Sequence, residues 1–331
     1  MCMMDEIRLG TVGSGKIVRS ILNNVRLVNG IRLVAVYSRS LEKAEGLAAE
    51  YGAAGVYTDM DAFLADENMN FVYIATPNQL HYAQTKRALL AGKHVICEKP
   101  FCTRAEDARE LAALAKERGL ILIEAVPTAF LPNLEILKRE LPKIGSIKLV
   151  QGNYSQYSSR YDDLLRGEIP NIFNPEFGGG SLMDINFYNV YLNVVLFGKP
   201  KSVAYHPNLY RGVYDTSGVM VMGYDGFVSE AVGAKDTWGE NFFQIEGEEG
   251  YIYIPGGSNG LEKIRVVTKE SDETFTEQEN PDRWYYEVQN LTKLILSEDY
   301  EAVYRLLDIT VDVMEVLENG RKGAGIFFPG D

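Results

Sequence analysis

Residues 7–22, IRLGTVGSGKIVRSIL, decide the first half of the fold. A short β-branched run leads into Gly10, Gly13 and Gly15, and an apolar helical pattern follows directly. Glycines let the backbone turn tightly and approach a pyrophosphate at a helix N-terminus, where N–H groups and the helix dipole favour negative charge. The segment therefore predicts a dinucleotide-binding strand–turn–helix unit, with a plain glycine turn as the alternative. The usual third small residue is Val18, which predicts slightly wider helix–strand packing.

The alternation of apolar runs with helix-like stretches continues to about residue 124. Five more apolar runs alternate with helix-like stretches: IRLVAVY, GVYT, FVYIAT, HVIC and LILIEA. Strands that alternate with helices are typical of βαβ units, so we expect six parallel strands in a doubly wound sheet. Residues 1–124 are thus predicted to form a Rossmann domain.

After residue 125 the regular alternation of strand and helix patterns ends. A helix in LPNLEILKRE precedes a strand at 147–157 and a helix at about 180–197, and strand patterns then dominate: VMVMGY, GFVSEAVGA, NFFQIEG, GYIYI and EKIRVVT. Their close spacing and glycine punctuation predict a mostly antiparallel sheet. Residues 125–331 are predicted to form an α+β domain for substrate binding and oligomerisation. Two C-terminal helices, near 283–296 and 300–319, are candidates to pack back on the first domain.

Size, charge and cysteine content narrow the class of protein. A chain of 331 residues exceeds the size at which single cores stop growing, which favours two domains. The formal net charge of -13 and the lack of a basic block argue against nucleic-acid binding. Cys2, Cys97 and Cys102 show no zinc-ligand spacing, so we expect no metal site and a reducing cytoplasm. No signal peptide or membrane span is apparent in the sequence.

The end of the second strand predicts the choice of nucleotide. An acidic residue there would bind the ribose 2′-hydroxyl of NAD, but the sequence reads Val36-Tyr37-Ser38-Arg39. A hydroxyl followed by a guanidinium suits a 2′-phosphate, so NADP is the predicted cofactor and NAD remains possible. The alternative is that Arg39 is simply solvated near a helix start.

Two further strands end in polar segments at the same edge of the sheet. The fourth strand ends in Ala75-Thr76-Pro77-Asn78 and the fifth in Cys97-Glu98-Lys99-Pro100. Open α/β sheets bind ligands at the carboxyl ends of their strands, so Lys99 should project toward the nicotinamide. An ammonium there can polarise a substrate oxygen or lower the pKa of a nearby acid. The predicted cofactor-binding residues are Gly10, Gly13, Ser14, Gly15, Lys16, Ile17, Ser38, Arg39, Thr76, Pro77, Asn78, His81, Glu98 and Lys99.

At this point the sequence resembles a known family. The glycine-rich start, ATPN, GKHVICEKP and the later GGGSLMD together resemble the glucose–fructose oxidoreductase and inositol dehydrogenase (Gfo/Idh/MocA) family across nearly the whole chain. The resemblance implies a C-terminal domain with a large open sheet used for dimer or tetramer contacts. It also implies that Lys99 is catalytic and that His81 contacts the nicotinamide ribose, although a surface helix histidine is nearly as good a description of His81.

The second half of the expected site is Gly178-Gly179-Gly180-Ser181-Leu182-Met183-Asp184-Ile185-Asn186-Phe187-Tyr188. In a helix, Asp184 and Tyr188 lie one turn apart on one face. Many relatives read D-x-G-x-H here, with histidine as acid/base; Asn186 and Tyr188 replace the glycine and histidine. That departure resembles the branch of dihydrodiol dehydrogenase and xylose dehydrogenase, in which a tyrosine fills the role. Asp184 then holds Lys99 or a substrate hydroxyl, or else caps the glycine-rich turn.

The sequence thus predicts an NAD(P)-dependent oxidoreductase that oxidises a secondary alcohol of a sugar, polyol or trans-diol. A phenol of pKa ~10 is a poor base unless an ammonium such as that of Lys99 stabilises its phenolate, so Tyr188 is the predicted acid/base, with Lys99 and Asp184 beside it. One alternative is a cofactor-binding regulator without turnover, as in a yeast galactose-pathway repressor of the same family. Another is a reductase of a cyclic imine or a sugar-nucleotide.

Several other residues have plainer explanations. His94 and His206 lack partners at metal-ligand spacing and are expected to be structural. Cys97 should behave as a small hydrophobe. The aromatic residues Tyr154, Tyr157, Tyr161 and Phe173 either line a substrate cleft or pack in the core, and the sequence favours neither.

Overall fold

A computed structural model of the chain describes residues 5–331 and divides it into two compact units. The first unit comprises residues 5–102, 106–126 and 282–311; the second comprises residues 103–105, 127–281 and 312–331. Helix Tyr300–Gly323 contains one of the division points. The chain therefore passes between the units more than once.

The first unit contains a six-stranded parallel sheet in the order β3-β2-β1-β4-β5-β6, as the strand–helix rhythm predicts. This order places a topological switch point at β1, where ligands bind beyond the carboxyl ends of the strands. Its elements are β1 (Ile7–Val12), α1 (Lys16–Val25), β2 (Ile31–Tyr37), α2 (Leu41–Tyr51), β3 (Gly55–Tyr57), α3 (Met60–Leu64), β4 (Phe71–Ile74), α4 (His81–Leu90), β5 (His94–Glu98), α5 (Ala105–Arg118), β6 (Leu122–Ala125) and, later in the chain, α10 (Arg283–Leu296). The division into units assigns the first residue of α5, Ala105, to the second unit.

Two strands of this sheet are buried along their whole length. Every residue of β4 is buried, as is every residue of β6. Strands buried on both faces are typical of parallel sheets. Helix α1 buries Val18, Ile21 and Leu22, so the residue in place of the usual third glycine belongs to the core.

The second unit is built on an eight-stranded sheet in the order β14-β13-β12-β11-β7-β10-β9-β8. All neighbouring pairs are antiparallel except β7 and β10. Its elements are α6 (Pro127–Phe130), α7 (Pro132–Glu140), β7 (Ile147–Ser155), α8 (Ser159–Leu165), α9 (Phe187–Phe197), β8 (Ser202–Tyr210), β9 (Tyr214–Gly223), β10 (Val228–Ala234), β11 (Phe242–Gly247), β12 (Gly250–Pro255), β13 (Ile264–Thr268) and β14 (Asp272–Phe275). The remaining helix, α11 (Tyr300–Gly323), spans the division between the units.

Burial alternates along the strands of this sheet. In β11, Phe243 and Ile245 are buried, whereas Gln244 and Glu246 are half-buried. A strand with this alternation has one core face and one open face. The mixed fold with a large, mostly antiparallel open sheet is therefore confirmed.

The two edge strands, β8 and β14, have weak strand patterns in sequence, and β14 is absent from the sequence-based strand assignments. Strand β8 contains Pro207, which cannot donate to a ladder, and β14 is a four-residue strand with three exposed positions. Edge strands need little apolar character, because only one neighbour pairs with them. Their sequences therefore carry a weak strand signal.

Candidate functional site

The turn after β1 has the geometry of an anion cradle. Gly13 has φ +119°, and a Cβ there would lie 2.5 Å from the carbonyl oxygen of Ala75. Gly15 begins α1 without a side-chain cap, and a Cβ on it would meet nothing within 4 Å. The first turn of α1 contains no acidic residue. Uncapped N–H groups beside open space fit a pyrophosphate, so the residues present suit a dinucleotide.

Other residues predicted to bind the cofactor occupy different environments in the same turn. Gly10 lies within β1, where a Cβ would strike Sδ of Met69 at 1.9 Å, so its small size serves packing. Ser14 is half-buried and Lys16 is exposed at the helix start, with Ile17 half-buried behind it. Gly10 therefore belongs to the strand, whereas residues 14–17 lie at the start of the helix.

The end of β2 presents a hydroxyl followed by a cation. Ser38 is buried, and its Oγ accepts a hydrogen bond from Ser40 N at 3.3 Å. Its own N–H donates to Tyr57 O at 3.1 Å, which fixes the backbone. Arg39 follows with an exposed side chain. This pattern leaves a guanidinium at the carboxyl edge of the sheet.

His81 joins the turns after β4 and β5. The imidazole is buried, with Nε2 2.8 Å from Thr76 O and Nδ1 2.9 Å from Pro100 O. Burial lowers the pKa of His81, and the two carbonyl oxygens oppose that shift. Both ring nitrogens thus face protein carbonyls, and the side chain braces two loops at the carboxyl edge. The neighbouring Thr76 hydroxyl donates to Gln84 Oε1 at 2.6 Å.

Two buried carboxyl groups hold the backbone around Lys99. Glu98 accepts from Tyr73 Oη at 2.5 Å and from the backbone N of Lys99 at 3.2 Å. Glu124 accepts from the backbone N of Phe101 at 2.8 Å and from Thr310 Oγ1 at 2.9 Å. Burial raises the pKa of Glu98, and it raises that of Glu124 to about 8. The predicted cofactor residue Glu98 is therefore anchored inside the first unit.

A third buried acid lies behind this pair. Glu287 on α10 is buried, and neither carboxyl oxygen has a hydrogen-bond partner among residues 5–331. Burial and the negative charge of Glu98 raise the pKa of Glu287 well above its usual value. Together with Tyr73 and several apolar side chains it lines a small internal cavity. The first unit thus keeps a cluster of acids with raised pKa values under its carboxyl edge.

In the second unit, the glycine-rich turn is fixed by Asp215. Its carboxylate accepts from the backbone N of Leu182 at 2.9 Å and from Tyr205 Oη at 2.8 Å. Gly180 has φ +142°, and a Cβ there would lie 2.9 Å from Asp215 Oδ2. Burial raises the pKa of Asp215 to about 7. The glycine at 180 is therefore required both by backbone angle and by the close carboxylate.

The predicted helix at 180–197 begins as a π-helix. Residues Leu182–Asn186 form one π-helical segment, and α9 continues from Phe187. Single π turns occur often at functional sites because they displace side chains from α-helical positions. This segment carries Asp184, and Tyr188 follows in the first turn of α9.

Asn186, which stands where many relatives have glycine, ties this segment to the sheet. Its Nδ2 donates to Ala231 O at 2.9 Å, and Nδ2 of Asn189 donates to Val232 O at the same distance. A Cβ on Gly233 would lie 2.4 Å from Cβ of Asn186, so the larger residue in the helix is matched by a glycine in β10. The departure from the family pattern is thus accommodated locally.

Asp184 forms an ion pair that the sequence did not reveal. Its Oδ2 lies 2.5 Å from Nζ of Lys235, whose side chain is only 8% exposed. Lys235 follows β10 directly, and its backbone N donates to Thr216 O at 2.9 Å. The pairing depends on β10 lying beside the π-helical segment, which no local pattern indicates.

Aromatic rings surround the predicted acid/base. Tyr188 is buried, with its ring centroid 5.9 Å from that of Tyr154. Phe173 is fully buried and packs edge-on against Tyr161, so it belongs to the core. Tyr157 and Tyr161 are half-buried, and Tyr157 stacks on Trp238. The four aromatic residues therefore have different surroundings, and only part of the set meets solvent.

The chain also matches known proteins over most of its length. The model described as "Oxidoreductase family, NAD-binding Rossmann fold" matches residues 7–126, and the GFO/IDH/MocA C-terminal domain matches residues 141–253. The scyllo-inositol 2-dehydrogenase (NADP(+)) IolU of Bacillus subtilis (strain 168) is 34% identical over 326 residues, which cover 98% of this chain and 99% of that protein.

The chain belongs to the GFO/IDH/MocA oxidoreductase family. The resemblance found in the sequence is thereby confirmed, and with it the class of enzyme: an NAD(P)-dependent oxidoreductase. Trans-1,2-dihydrobenzene-1,2-diol dehydrogenase of Sus scrofa is 27% identical over 346 residues, covering 98% of this chain and 99% of its own.

Solved structures share this fold over most of the chain. The crystal structure of KijD10, a 3-ketoreductase from Actinomadura kijaniata in complex with NADP and TDP-benzene, has a TM-score of 0.83. The match covers 96% of this chain and 98% of that chain, at 21% identity. At that identity the likeness shows the fold.

The remaining histidines and cysteines of this family member differ in their surroundings. The His94 ring stacks on Phe71 at 4.7 Å and its Nδ1 accepts from Ile121 N at 2.9 Å, while burial lowers the pKa of His94 to about 4. His206 is exposed on β8. Cys97 and Cys102 are buried, and Cys2 lies outside the described residues. Within residues 5–331 we find neither a metal-ligand cluster nor a helix that meets the length and apolarity of a membrane span.

Proposed function

We propose that this enzyme reversibly oxidises a secondary hydroxyl of a polyol, sugar or trans-diol with NADP. Lys99, Tyr188 and Asp184 are the proposed catalytic residues. The observation that carries the proposal is the fixed backbone around Lys99: buried carboxyl groups accept hydrogen bonds from the backbone N–H groups of Lys99 and Phe101, and the His81 ring contacts Pro100 O. These contacts fix the backbone next to Lys99, as expected for a side chain whose position determines the rate of a reaction.

Bound NADP would accept the hydride, and side chains of the protein would accept the hydroxyl proton. We propose that Tyr188 takes the hydroxyl proton, while the Lys99 ammonium stabilises the negative charge that develops on oxygen. Asp184, fixed by Lys235, orients a substrate hydroxyl. The names of two relatives support the alcohol substrate, since one is a scyllo-inositol 2-dehydrogenase and the other a trans-diol dehydrogenase.

The choice of NADP rests on the end of β2. Ser38 and the exposed Arg39 offer a hydroxyl and a guanidinium where an NAD enzyme would carry an acid. The relative IolU is named as NADP-dependent, which supports the same choice. We propose that Gly13, Ser14 and Gly15 hold the pyrophosphate and that Thr76, Pro77 and Asn78 lie along the nicotinamide half.

We propose in addition that the open face of the second sheet forms a homodimer or homotetramer contact in the cytoplasm. A shallow depression of about 560 Å³ on β11, β12 and β13 is lined by Gln244, Tyr251, Tyr253 and Arg265 among others. Tyrosine and arginine are enriched at protein interfaces, which supports this assignment. Sedimentation velocity of the wild-type chain tests it, and a monomer at micromolar concentration would contradict it.

The test of the proposed activity is turnover of polyols with NADP. The wild-type enzyme is incubated with NADP and a panel of inositols, pentoses and cyclic diols, and the absorbance of reduced nicotinamide is recorded. Lys99→Met should bind NADP with a Kd near that of wild type and lose about 10²–10⁴-fold in kcat. Lys201→Met, at an exposed lysine before β8, is the matched control.

Two results would contradict this proposal. Turnover by Lys99→Met at the wild-type rate would remove the lysine from the mechanism. Tight NADP binding by the wild-type protein without any turnover across the panel would instead favour a cofactor-binding regulator.

A further inference from the structure

Two segments that lead away from the second sheet run side by side. Strands β7 and β10 are parallel, and their register ends at Ala234 opposite Ser155. Beyond the strands, Gln156 N donates to Ala234 O at 2.8 Å and Ser158 N donates to Lys235 O at 2.9 Å. The segments 156–158 and 235–238 are therefore held together at the carboxyl ends of two neighbouring parallel strands.

The first feature of segment 235–238 is the ion pair with Asp184. The Lys235 side chain is 8% exposed and that of Asp184 is 30% exposed, so the ammonium lies inward and the carboxylate partly outward. Burying an ammonium is costly unless it is paired, and Asp184 supplies the partner. An ammonium donates three hydrogen bonds and a carboxylate only accepts, so the pair offers a donor and an acceptor side by side.

That combination matches a particular chemistry. Of two adjacent hydroxyls, one can donate to the carboxylate while its neighbour accepts from the ammonium. A carboxylate or phosphate on the substrate would meet the negative charge of Asp184 beside the ammonium, which removes the advantage of the cation. The pair therefore favours an uncharged vicinal diol over an acid or a nucleotide.

The second feature is an aromatic plate, which consists of the stacked rings of Tyr157 and of Trp238, three residues after Lys235. Trp238 is 79% exposed, and its ring lies parallel to that of Tyr157 at an angle of 7° with centroids 5.7 Å apart. Tyr157 is itself fixed, because its Oη donates to Asp162 Oδ1 at 2.7 Å. Leaving an indole in water forgoes the apolar stabilisation that burial provides, so such a ring is suited to cover a ligand. Three residues span at most about 10 Å, which keeps the plate near Lys235.

We propose that residues 235–238 form a specificity segment for uncharged cyclic vicinal diols. The Asp184–Lys235 pair hydrogen-bonds two adjacent hydroxyls, and the Trp238–Tyr157 plate packs against the C–H face of the substrate ring. This inference rests on the proposed oxidation of an alcohol and narrows its substrate class. Lys235 is a positioning and specificity residue, because it acts on the substrate together with Asp184.

The wild-type enzyme gives the first test. The kcat/KM for trans-cyclohexane-1,2-diol is compared with that for cyclohexanol, which lacks the second hydroxyl, with NADP as oxidant. We expect at least a tenfold preference for the diol, since one satisfied pair of polar contacts contributes about 1.4 kcal/mol or more. A preference below threefold overturns the inference even though the enzyme is active. Absence of turnover with every alcohol overturns the proposed function itself.

The second test removes the ammonium. In Lys235→Met the preference for diol over cyclohexanol should fall about tenfold or more, mainly through KM, whereas Lys235→Arg should restore most of it. Equal losses for the two substrates would mean that Lys235 serves only to hold the fold. If Lys235→Met fails to bind NADP, Lys235→Gln and Lys235→Arg replace it. Equal preferences in that pair overturn the inference.

The third test removes the plate. Trp238→Ala should raise KM for the cyclic diol about three- to tenfold more than KM for propane-1,2-diol, and Trp238→Phe should recover most of that difference. Sedimentation velocity of the same variants tests the alternative role of the indole, which is a contact between subunits. A changed molecular mass with an unchanged ratio of the two KM values would assign Trp238 to a subunit contact and overturn the plate.

Discussion

The carboxyl edge of the first sheet and the π-helical region of the second unit are built in different ways. In the first, short turns follow directly after their strands, and the backbone of residues 13–15 and 98–101 is shaped by glycine and by buried carboxylates. In the second, side chains that are far apart in sequence meet, with Asp184 paired to a lysine 51 residues away. In the proposed function, this contrast corresponds to a cofactor held by backbone geometry and a substrate selected by side-chain pairs.

The largest effect is expected in the second unit, at Tyr188. Tyr188→Phe removes one hydroxyl from a buried ring and should lower kcat by about 10²–10⁴-fold, with the Kd for NADP close to that of wild type. Tyr224→Phe, which also removes a tyrosine hydroxyl in this unit, is the control; Tyr224 Oη donates to Gly198 O at 3.2 Å. Stopped-flow and steady-state assays measure the difference. A kcat within fivefold of wild type would assign the proton to another group.

A matched pair of glycine variants tests whether the first unit depends on its backbone. Gly13→Ala places a Cβ 2.5 Å from Ala75 O at a φ of +119° and should lower the free energy of unfolding by about 2–4 kcal/mol and weaken NADP binding. Gly15→Ala meets open space at φ -78° and should cost about 0.5–1 kcal/mol. Urea unfolding and NADP titration measure both. Equal effects for the two variants would show that conformation at residue 13 is unimportant.

The buried acids of the first unit predict a dependence of stability on pH. Burial, and then the charge of Glu98, raise the pKa of Glu287, so the folded state keeps its proton to higher pH than the unfolded chain. The free energy of unfolding should therefore fall as pH rises from about 4.3, the unfolded pKa, toward the raised folded value. Glu287→Gln removes this titration. The free energy of unfolding of the variant, relative to that of wild type, should therefore be about 1–3 kcal/mol higher at pH 8 than at pH 5.

Urea unfolding at several pH values checks this expectation, with Glu117→Gln on the exposed side of α5 as control. Glu98 and Glu124 also have raised pKa values, so some dependence on pH should remain in the Glu287→Gln variant. Identical slopes for Glu287→Gln and wild type would show that Glu287 does not keep its proton in the folded protein.

The smallest expected effect is on nucleotide choice. Arg39→Ala removes an exposed guanidinium and should lower the ratio of kcat/KM for NADP over NAD by about tenfold, because one charge-assisted contact to a phosphate is lost. Arg32→Ala is the matched control, since Arg32 lies near the start of the same strand and pairs with Glu6 at 2.9 Å. An unchanged ratio in Arg39→Ala would mean that the 2′-phosphate is bound elsewhere or that NAD is the natural cofactor.

The difference between backbone turns and side-chain pairs also explains how much of the fold and of the candidate site could be predicted from the sequence. All six parallel strands and the turn after β1 followed from local patterns, because a buried strand and a glycine turn each have a signature a few residues long. Strand β14 was missed because this edge strand carries little apolar character. The π-helical start at Leu182–Asn186 was predicted only as a helix, since π and α turns share one apolar pattern.

Side-chain partners were the part that local patterns could not supply. Asp184 was predicted to hold Lys99, to hold a substrate hydroxyl or to cap its turn; its ion pair with Lys235, which follows β10 in the parallel pairing of β7 with β10, was not among these possibilities. Asn186 and Gly233 likewise fit each other only once helix and strand are in contact. Sequence spacing encodes periodicity, whereas such contacts depend on the order of strands in the sheet.

A double-mutant cycle on Lys99 and Tyr188 tests the central claim most directly. The claim is that both side chains serve the same proton in one step. The kcat values of wild type, Lys99→Met, Tyr188→Phe and the double variant are measured with the same polyol and saturating NADP. If the claim holds, the double variant is at most about tenfold slower than the slower single variant, because the second change removes a group that has already lost its role. Losses that multiply in the double variant would contradict it and show that the two groups act independently.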